Sequence, residues 1–332
     1  MTFPYPLHIA SLGRYLPERI VPSEEVERLC GLPPGWVERK TGIKERRWAS
    51  PRETNSFMGA QAAREALEKA GVGLHDIDLI LNASGTQEQA IPDGGPLIQR
   101  ELGLATSGIP CFSMHATCLG FLVALDVCAS LLASGRYRTI LVVCSDIGSV
   151  GLNFNEAESA ALIGDAAVAA VVTLPNGGQP GRVEAARLET YSEGAGLTEI
   201  RGGGSRRHPN HPDTCPEDNL FHMDGPKVYR IAMERLGDFL DRLRPGLSKG
   251  PGTIRCVVPH QASLPAVRSL RRLGFPDECV VTNLERLGNC ISASIPSALY
   301  DAVAWGRIRR GDEVLLLGTG AGLSLGGMIL VY

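Results

Sequence analysis

Met114-His115-Ala116-Thr117-Cys118-Leu119-Gly120-Phe121 decides the reading of this chain, because one thiol stands where a short extended stretch gives way to an apolar helix running towards Ala133. At a helix N-terminus the unpaired backbone N–H groups and the positive end of the macrodipole favour the thiolate, the nucleophilic form of cysteine. Cys118 is therefore the candidate nucleophile. The other eight cysteines lack that setting, and Cys111, Cys128, Cys144, Cys256 and Cys290 read as small core residues. Two further segments supply polar side chains, each expected at the end of a strand. Val257-Val258-Pro259-His260-Gln261-Ala262 offers an imidazole, and Gly288-Asn289-Cys290-Ile291-Ser292-Ala293-Ser294 a carboxamide. Together they suggest a Cys/His/Asn site.

With 332 residues, 44% of them hydrophobic, the chain is long enough for one large or two ordinary α/β domains with a fully buried sheet. A net charge of −3 argues against nucleic acid, which needs a concentrated basic face. The nine cysteines are odd in number and mostly sit in apolar runs such as Leu141-Val142-Val143-Cys144, so free thiols in a reducing cytoplasm are expected. Met1-Thr2-Phe3-Pro4-Tyr5-Pro6 does not read as a secretory leader, and no run reaches the roughly 18 apolar residues of a membrane span. The expectation is a cytoplasmic protein without a membrane partner.

Short β-branched runs alternate with amphipathic stretches, the pattern of a buried sheet flanked by helices. Strands are expected at Ile77–Ala83, Thr139–Ser145, Ala167–Thr173, Arg255–Pro259, Glu278–Val281, Glu313–Leu317 and Leu325–Val331. Helices are expected at Phe57–Ala70, Leu119–Ala133, Pro226–Arg244 and Ser292–Trp305, the second apolar nearly all round and so covered on every side. The break at Pro175-Asn176-Gly177-Gly178-Gln179-Pro180-Gly181 divides the chain into halves, 1–175 with the cysteine and 181–332 with the histidine and asparagine. A weak internal duplication is visible. Both Ala161-Leu162-Ile163-Gly164-Asp165-Ala166-Ala167 and Leu317-Gly318-Thr319-Gly320-Ala321-Gly322-Leu323 set small residues before an apolar strand. The stretch Thr190–Phe221 is too polar and irregular for core and reads as a long loop near a substrate entrance.

The three polar segments, in this order, resemble those of thiolase-fold condensing enzymes, and most closely the β-ketoacyl-acyl-carrier-protein synthase III branch. A fourth stretch, Gly35-Trp36-Val37-Glu38-Arg39-Lys40-Thr41-Gly42-Ile43-Lys44-Glu45-Arg46-Arg47, is similar to that branch's Trp-containing segment. The resemblance runs almost end to end. It implies an α/β, five-layered αβαβα thiolase-like fold of two similar halves, a homodimer, and catalysis by Cys118, His260 and Asn289. It implies no cofactor or metal, with acyl-CoA or acyl-carrier-protein thioesters as substrates and the acyl carrier protein as a partner. Several positions depart from the family pattern. Trp36 remains for adenine stacking, but Lys40 stands where Arg is expected, Ser263 replaces an Asn, Pro265 replaces an Arg, and Ile91 replaces a partner-facing aromatic. Because Lys cannot reproduce bidentate guanidinium contacts, CoA recognition is weakened and a carrier-bound donor becomes one solution. Arg206 and Arg207, with Trp36, Lys40, Ile91 and Ser263, are the candidate substrate- or carrier-binding residues.

The chemistry follows from the residue types. Cys118 attacks an acyl thioester and retains the acyl group. The Nε2–H of His260 and the NH₂ of Asn289 then donate to the enolate oxygen formed on a second thioester. The backbone N–H groups of Cys118 and Ala321 are candidates for the first oxyanion hole. Asn289 after Gly288 also suits a plain turn. His115 is expected to point away from Cys118 or into the core, and His208, His211 and Cys215 are too loosely spaced, around Pro209 and Pro212, for zinc. The leading expectation is a condensing enzyme of polyketide or other specialised metabolism. The alternatives are an acyltransferase acting on an alcohol or amine, and a non-catalytic partner subunit.

Overall fold

The fold, seen in a computed structural model that describes residues 4–332, contains two five-stranded sheets. The first has the order His8–Tyr15, Ala166–Thr173, Thr139–Asp146, Leu79–Asn82, Cys111–Ser113. The second runs Tyr5–Pro6, Arg182–Thr190, Ser324–Val331, Glu313–Gly320, Cys256–Pro259. In each, an antiparallel pair (Thr139–Asp146 with Ala166–Thr173, Glu313–Gly320 with Ser324–Val331) is followed by a parallel neighbour, Leu79–Asn82 or Cys256–Pro259. The first sheet draws on residues 8–173 and the second on 182–331, except that Tyr5–Pro6 crosses over to pair with Val183 and Arg182.

Between the sheets lie the helices Gly120–Ala133 and Ser294–Ala304, whose buried side chains form one core with residues of both sheets. Phe121, Leu122, Leu125 and Leu132 are fully buried there, each worth about 1.5–3 kcal/mol of transfer free energy. Outside the first sheet, Asn55–Ala70 packs with Ile80, Leu141, Val143 and Val171; outside the second, Gly225–Leu243 packs with Val257, Leu315 and Ile329. The layers are therefore α, β, α, β, α, the arrangement of the thiolase fold.

Local chemistry explains the outer packing. Thr54 caps Asn55–Ala70 by accepting from the Phe57 N–H, and Gly71 ends it in the left-handed region (φ 64) with Val72 N–H bonded to the Leu67 carbonyl. The helix presents Ala60, Ala62, Ala63 and Ala66, so its backbone comes close to the sheet, and Ser11 Oγ donates to the Ala66 carbonyl.

Four expectations need correction. The His8–Tyr15 and Arg182–Thr190 strands were not foreseen, because polar residues interrupt both. Glu278–Val281 is no strand, only a single parallel bridge from Val280 to Val257. The Gly120–Ala133 helix is not covered on every side, since Ser130 and Ala133 are exposed and Asp126 half-buried on one stripe. Finally, that helix starts at Gly120, after a 3₁₀ turn, rather than at Leu119.

A Cβ at Gly13 would stand 2.1 Å from the Ala62 carbonyl oxygen and 2.4 Å from the Ala66 nitrogen, both backbone atoms. Gly13→Ala should therefore lift the helix off the sheet and lower stability by roughly 2–3 kcal/mol or more, read from denaturant unfolding.

Candidate active site

Cys118 lies in the 3₁₀ turn Thr117–Leu119, with Thr117 in the left-handed region at φ 48. For a β-branched residue that conformation is strained and is held by its surroundings. The turn is half-buried, and two backbone N–H groups, its own and that of Ala321, donate towards the sulfur. The candidate oxyanion-hole groups are thus assembled around the thiol. The expected acidity of the thiol is not found. Burial, followed by the Asp146 carboxylate, pushes the Cys118 thiol up to about 12, more than those two N–H groups offset. Burial and that carboxylate both favour the thiol over the thiolate.

His260 immediately follows the Cys256–Pro259 strand, its N–H bonded to the Leu317 carbonyl. It is buried, which lowers its pKa to about 4, and its Nδ1 has no hydrogen-bond partner among the described residues. The ring is neutral at ordinary pH. Gly318 brings it near the nucleophile turn: a Cβ there would meet His260 Cβ at 2.9 Å and Leu119 Cδ2 at 3.1 Å. Gln261 anchors the segment, donating to the Pro259 and Val281 carbonyls and accepting from Thr282 Oγ1 and the Asn283 N–H.

Asn289 does not end a strand. It follows the short helix Leu284–Leu287 and bridges to Ile163, donating its N–H to the Leu162 carbonyl and accepting from the Gly164 N–H. The left-handed residues here are Gly288 (φ 66) and Ile291 (φ 53), so Asn289 is not the turn's left-handed member. Its Oδ1 accepts from the Ile291 N–H at 2.9 Å and from Ser294 Oγ at 3.4 Å. An N–H can bond only the oxygen of the amide, which fixes the orientation of the group and leaves Nδ2 as a donor without an internal acceptor.

Two buried acids escaped the sequence reading. Asp146, at the end of its strand, accepts from the N–H groups of Gly85, Thr86, Ser292 and Ala293 and from the hydroxyls of Thr86 and Ser292. Asp165 accepts from Ala49, Gly148 and Ser149, and burial raises it to about 6. The available signal for Asp146 was an acid closing a largely apolar strand, where α/β sheets place their sites, whereas Asp165 precedes its strand and carried no such signal. His115 is exposed rather than in the core, its Nε2 bonded to the Gly85 carbonyl at 3.1 Å.

The candidate binding residues are spread more widely. Trp36 opens the short helix Trp36–Thr41 and is half-buried against a small core that includes Val21, Val26, Val37 and Trp48, so only part of its ring is open for stacking. Lys40 is exposed without an ion-pair partner among the described residues. Ser263 caps the neighbouring helix Leu264–Ser269, accepting from the Ala266 N–H, which occupies its hydroxyl oxygen. Arg207 is turned to Asp218 at 3.8 Å and to the Asp213 carbonyl, whereas Arg206 is exposed. Ile91 is 87% exposed. No helix among the described residues is long and apolar enough to cross a membrane.

Residues 112–192 match the family model described as 3-oxoacyl-[acyl-carrier-protein (ACP)] synthase III, and residues 248–332 that of its C-terminal part. The chain is 35% identical over 331 residues to a β-ketoacyl-[acyl-carrier-protein] synthase III of Symbiobacterium thermophilum, covering 98% of each. To the protein of that name from Aquifex aeolicus it is 31% identical, covering 98% of this chain and 99% of that one. The crystal structure of 3-oxoacyl-[acyl-carrier-protein] synthase III from Aquifex aeolicus VF5 superimposes with a TM-score of 0.86 at 30% identity, over 98% of this chain and 100% of that one. The priming β-ketosynthase from the R1128 polyketide biosynthetic pathway gives 0.84 at 30%, over 100% and 98%. Xanthomonas campestris OleA, at 21% identity and a TM-score of 0.86, shares the fold. With these matches over almost the whole chain, and with a thiol approached by two backbone N–H groups, a neutral histidine and an asparagine amide fixed by its own turn, the chain belongs to the β-ketoacyl-[acyl-carrier-protein] synthase III family of condensing enzymes.

Proposed function

We propose that Cys118 takes an acyl group from a thioester and that the enzyme joins it, by decarboxylative Claisen condensation, to a second thioester on CoA or the acyl carrier protein. In the first step the Cys118 sulfur bonds the acyl carbon, the carrier's C–S bond breaks, and the thiol proton ends on the departing carrier thiol. The N–H groups of Cys118 and Ala321 stabilise the tetrahedral oxyanion, each donor typically worth ~10²–10³ in rate. In the second step a malonyl-type thioester loses CO₂, and its C–C bonding pair becomes an enolate. The enolate oxygen accepts from His260 Nε2–H and Asn289 Nδ2–H, and its carbon attacks the acyl carbonyl to expel Cys118.

The fixed orientation of the Asn289 amide supports this reading best, because it leaves a donor and no acceptor for an incoming oxygen. A setting in specialised metabolism, with the carrier protein as donor or acceptor and a homodimer as the working form, fits the departures from the family pattern. Lys40 offers one point charge where a guanidinium is expected, and Arg207 is occupied by Asp218. The likeness to a polyketide priming synthase points the same way.

Intact-protein mass spectrometry with a panel of acyl-CoA and acyl-carrier thioesters, chased with malonyl-carrier, tests the proposal. The expected result is a mass gain on Cys118 that the chase discharges with release of CO₂. Discharge only by alcohols or amines would make the protein an acyltransferase of another kind, and no gain from any donor would refute loading.

Asn289→Asp keeps the acceptor for the Ile291 N–H but removes the outward donor. Condensation should fall ~10²–10³-fold while self-acylation changes far less. Equal loss of both half-reactions would assign Asn289 a structural role.

The neutrality of His260 is separately measurable. Its folded pKa of about 4 lies below the ordinary value of 6.5, so between those values the unfolded chain holds a proton that the folded one lacks. This contribution destabilises the protein progressively as pH falls from about 6.5 towards 4. His260→Asn should therefore take up about one proton fewer on unfolding near pH 5, read from the slope of unfolding free energy against pH. An unchanged slope would mean that His260 titrates normally.

A further inference from the structure

The nucleophile turn has a structural twin. Thr117 (φ 48) opens the 3₁₀ turn Thr117–Leu119 and the helix Gly120–Ala133; Ile291 (φ 53) opens the 3₁₀ turn Ile291–Ala293 and the helix Ser294–Ala304. The Leu119 N–H bonds to the Ala116 carbonyl at 3.0 Å, and the Ala293 N–H to the Cys290 carbonyl at 3.0 Å. The strands that follow, Thr139–Asp146 and Glu313–Gly320, have eight residues each and each pairs antiparallel with the next strand of its sheet. In this correspondence Cys118 matches Ser292, and Asp146 matches Gly320.

The two turns differ in what meets their N–H groups. At the Ser292 turn they point at a carboxylate of the protein itself. Asp146 Oδ2 accepts from Ser292 N (2.9 Å), Ser292 Oγ and Ala293 N (3.2 Å), while Oδ1 accepts from Gly85 N (2.8 Å), Thr86 N (2.7 Å) and Thr86 Oγ1 (3.1 Å). At the Cys118 turn the matching place holds Gly320, which has no side chain, and a Cβ there would lie 2.8 Å from Thr117 Oγ1.

Burial raises the Asp146 carboxyl above the usual carboxylate range, while the hydrogen bonds from Ser292, Thr86 and Gly85 favour its charged form. Thr86 Oγ1 already accepts from Asn55 Nδ2 and the Ile147 N–H, so its hydrogen goes to Asp146, and the four N–H groups can only donate. Five of the six partners thus require an acceptor. Between the two turns, Gly85 completes the contact: a Cβ on it would meet Ile291 Cγ2 at 2.5 Å, the Thr117 carbonyl oxygen at 3.3 Å and Asp146 Oδ1 at 3.4 Å.

We infer that Asp146 is a positioning residue: it fills, at the Ser292 turn, the anion place that the substrate oxyanion takes at the Cys118 turn, and thereby holds the Asn289 amide in register with the nucleophile. The link runs through bonded neighbours, from Asp146 to the Ser292 and Ala293 N–H groups, to Ile291, whose N–H orients Asn289 Oδ1. The catalytic part of this inference rests on the condensing-enzyme reading above.

The test combines two variants with a readout that does not depend on that reading. Cys118 alkylation by iodoacetamide is followed by peptide mass spectrometry against pH. Of the charged groups nearby, Asp146 raises the thiol's proton affinity; His260 is neutral, the thiols of Cys144 and Cys290 are buried and protonated, and Asp165 and Arg14 act on Cys290. Asp146→Asn should lower the alkylation midpoint of Cys118 by about one pH unit or more, because a neighbouring negative charge is gone, yet reduce condensation at least tenfold. Ser292→Ala keeps the charge and removes one donor, so the midpoint should not fall while condensation still drops several-fold; it serves alone where Asp146→Asn does not fold. A folded Asp146→Asn with the wild-type midpoint, or a folded Ser292→Ala that condenses within twofold of wild type, would overturn the inference. Failure of the wild-type protein to acylate would sink the proposed function instead and leave the alkylation result standing.

Discussion

Two buried helices packed between two sheets impose the constraint from which the site follows. Gly120–Ala133 and Ser294–Ala304 each begin with a 3₁₀ turn whose N–H groups must find acceptors inside the protein, because burial denies them water. Each helix start faces a strand end of the other sheet, Gly320 for the first and Asp146 for the second. The protein satisfies one start with its own carboxylate and leaves the other facing a glycine.

Close packing converts that constraint into precise placement. Gly120 allows its helix start to approach the Ala83 carbonyl, where a Cβ would lie 2.0 Å from the oxygen, and Gly164 does the same for the Leu287 carbonyl at 2.1 Å. These contacts bring the loop carrying Asn289 against Ile163 and Gly164, so the asparagine is fixed by a strand-like bridge although it belongs to no strand. The left-handed Thr117 and Ile291 persist because packing around Gly85 and Gly148 over-determines them; Gly148 has Ile163 and Ile291 against its open face.

Much of this was legible in the sequence, and what was not has physical causes. Apolar strands such as Thr139–Asp146 and Ala166–Thr173 announce themselves, as does a lone thiol before an apolar helix. The His8–Tyr15 strand hides its pattern because Ser11, Gly13 and Arg14 serve a helix contact and a buried ion pair with Asp301 rather than a period-two face. Asp146 was invisible as a hub because its donors lie 60 and 146 positions away, at Thr86 and Ser292, and no local pattern encodes such a separation. An isoleucine gives no hint of a left-handed turn. The acidity of Cys118 was misjudged for a related reason, since a helix N-terminus is readable in sequence, whereas burial and a carboxylate contributed from another strand are not.

The protonated thiol has a mechanistic logic once the low polarity of the site is considered. A thiolate at rest beside the Asp146 carboxylate would carry the cost of a second negative charge that two N–H groups only partly offset. Keeping Cys118 and His260 both neutral avoids that cost and preserves the interior around Leu119, Ala293 and Ile295. On the proposed function, charge develops only with a thioester in place, when the N–H groups of Cys118 and Ala321 have an oxyanion to receive and the Asn289 amide an enolate. Donors already fixed by backbone turns do not have to reorganise at that moment, which is where preorganised polar groups in a dry site lower a barrier most. The same carboxylate that discourages an idle thiolate thus holds the second turn in the form needed when the charge arrives.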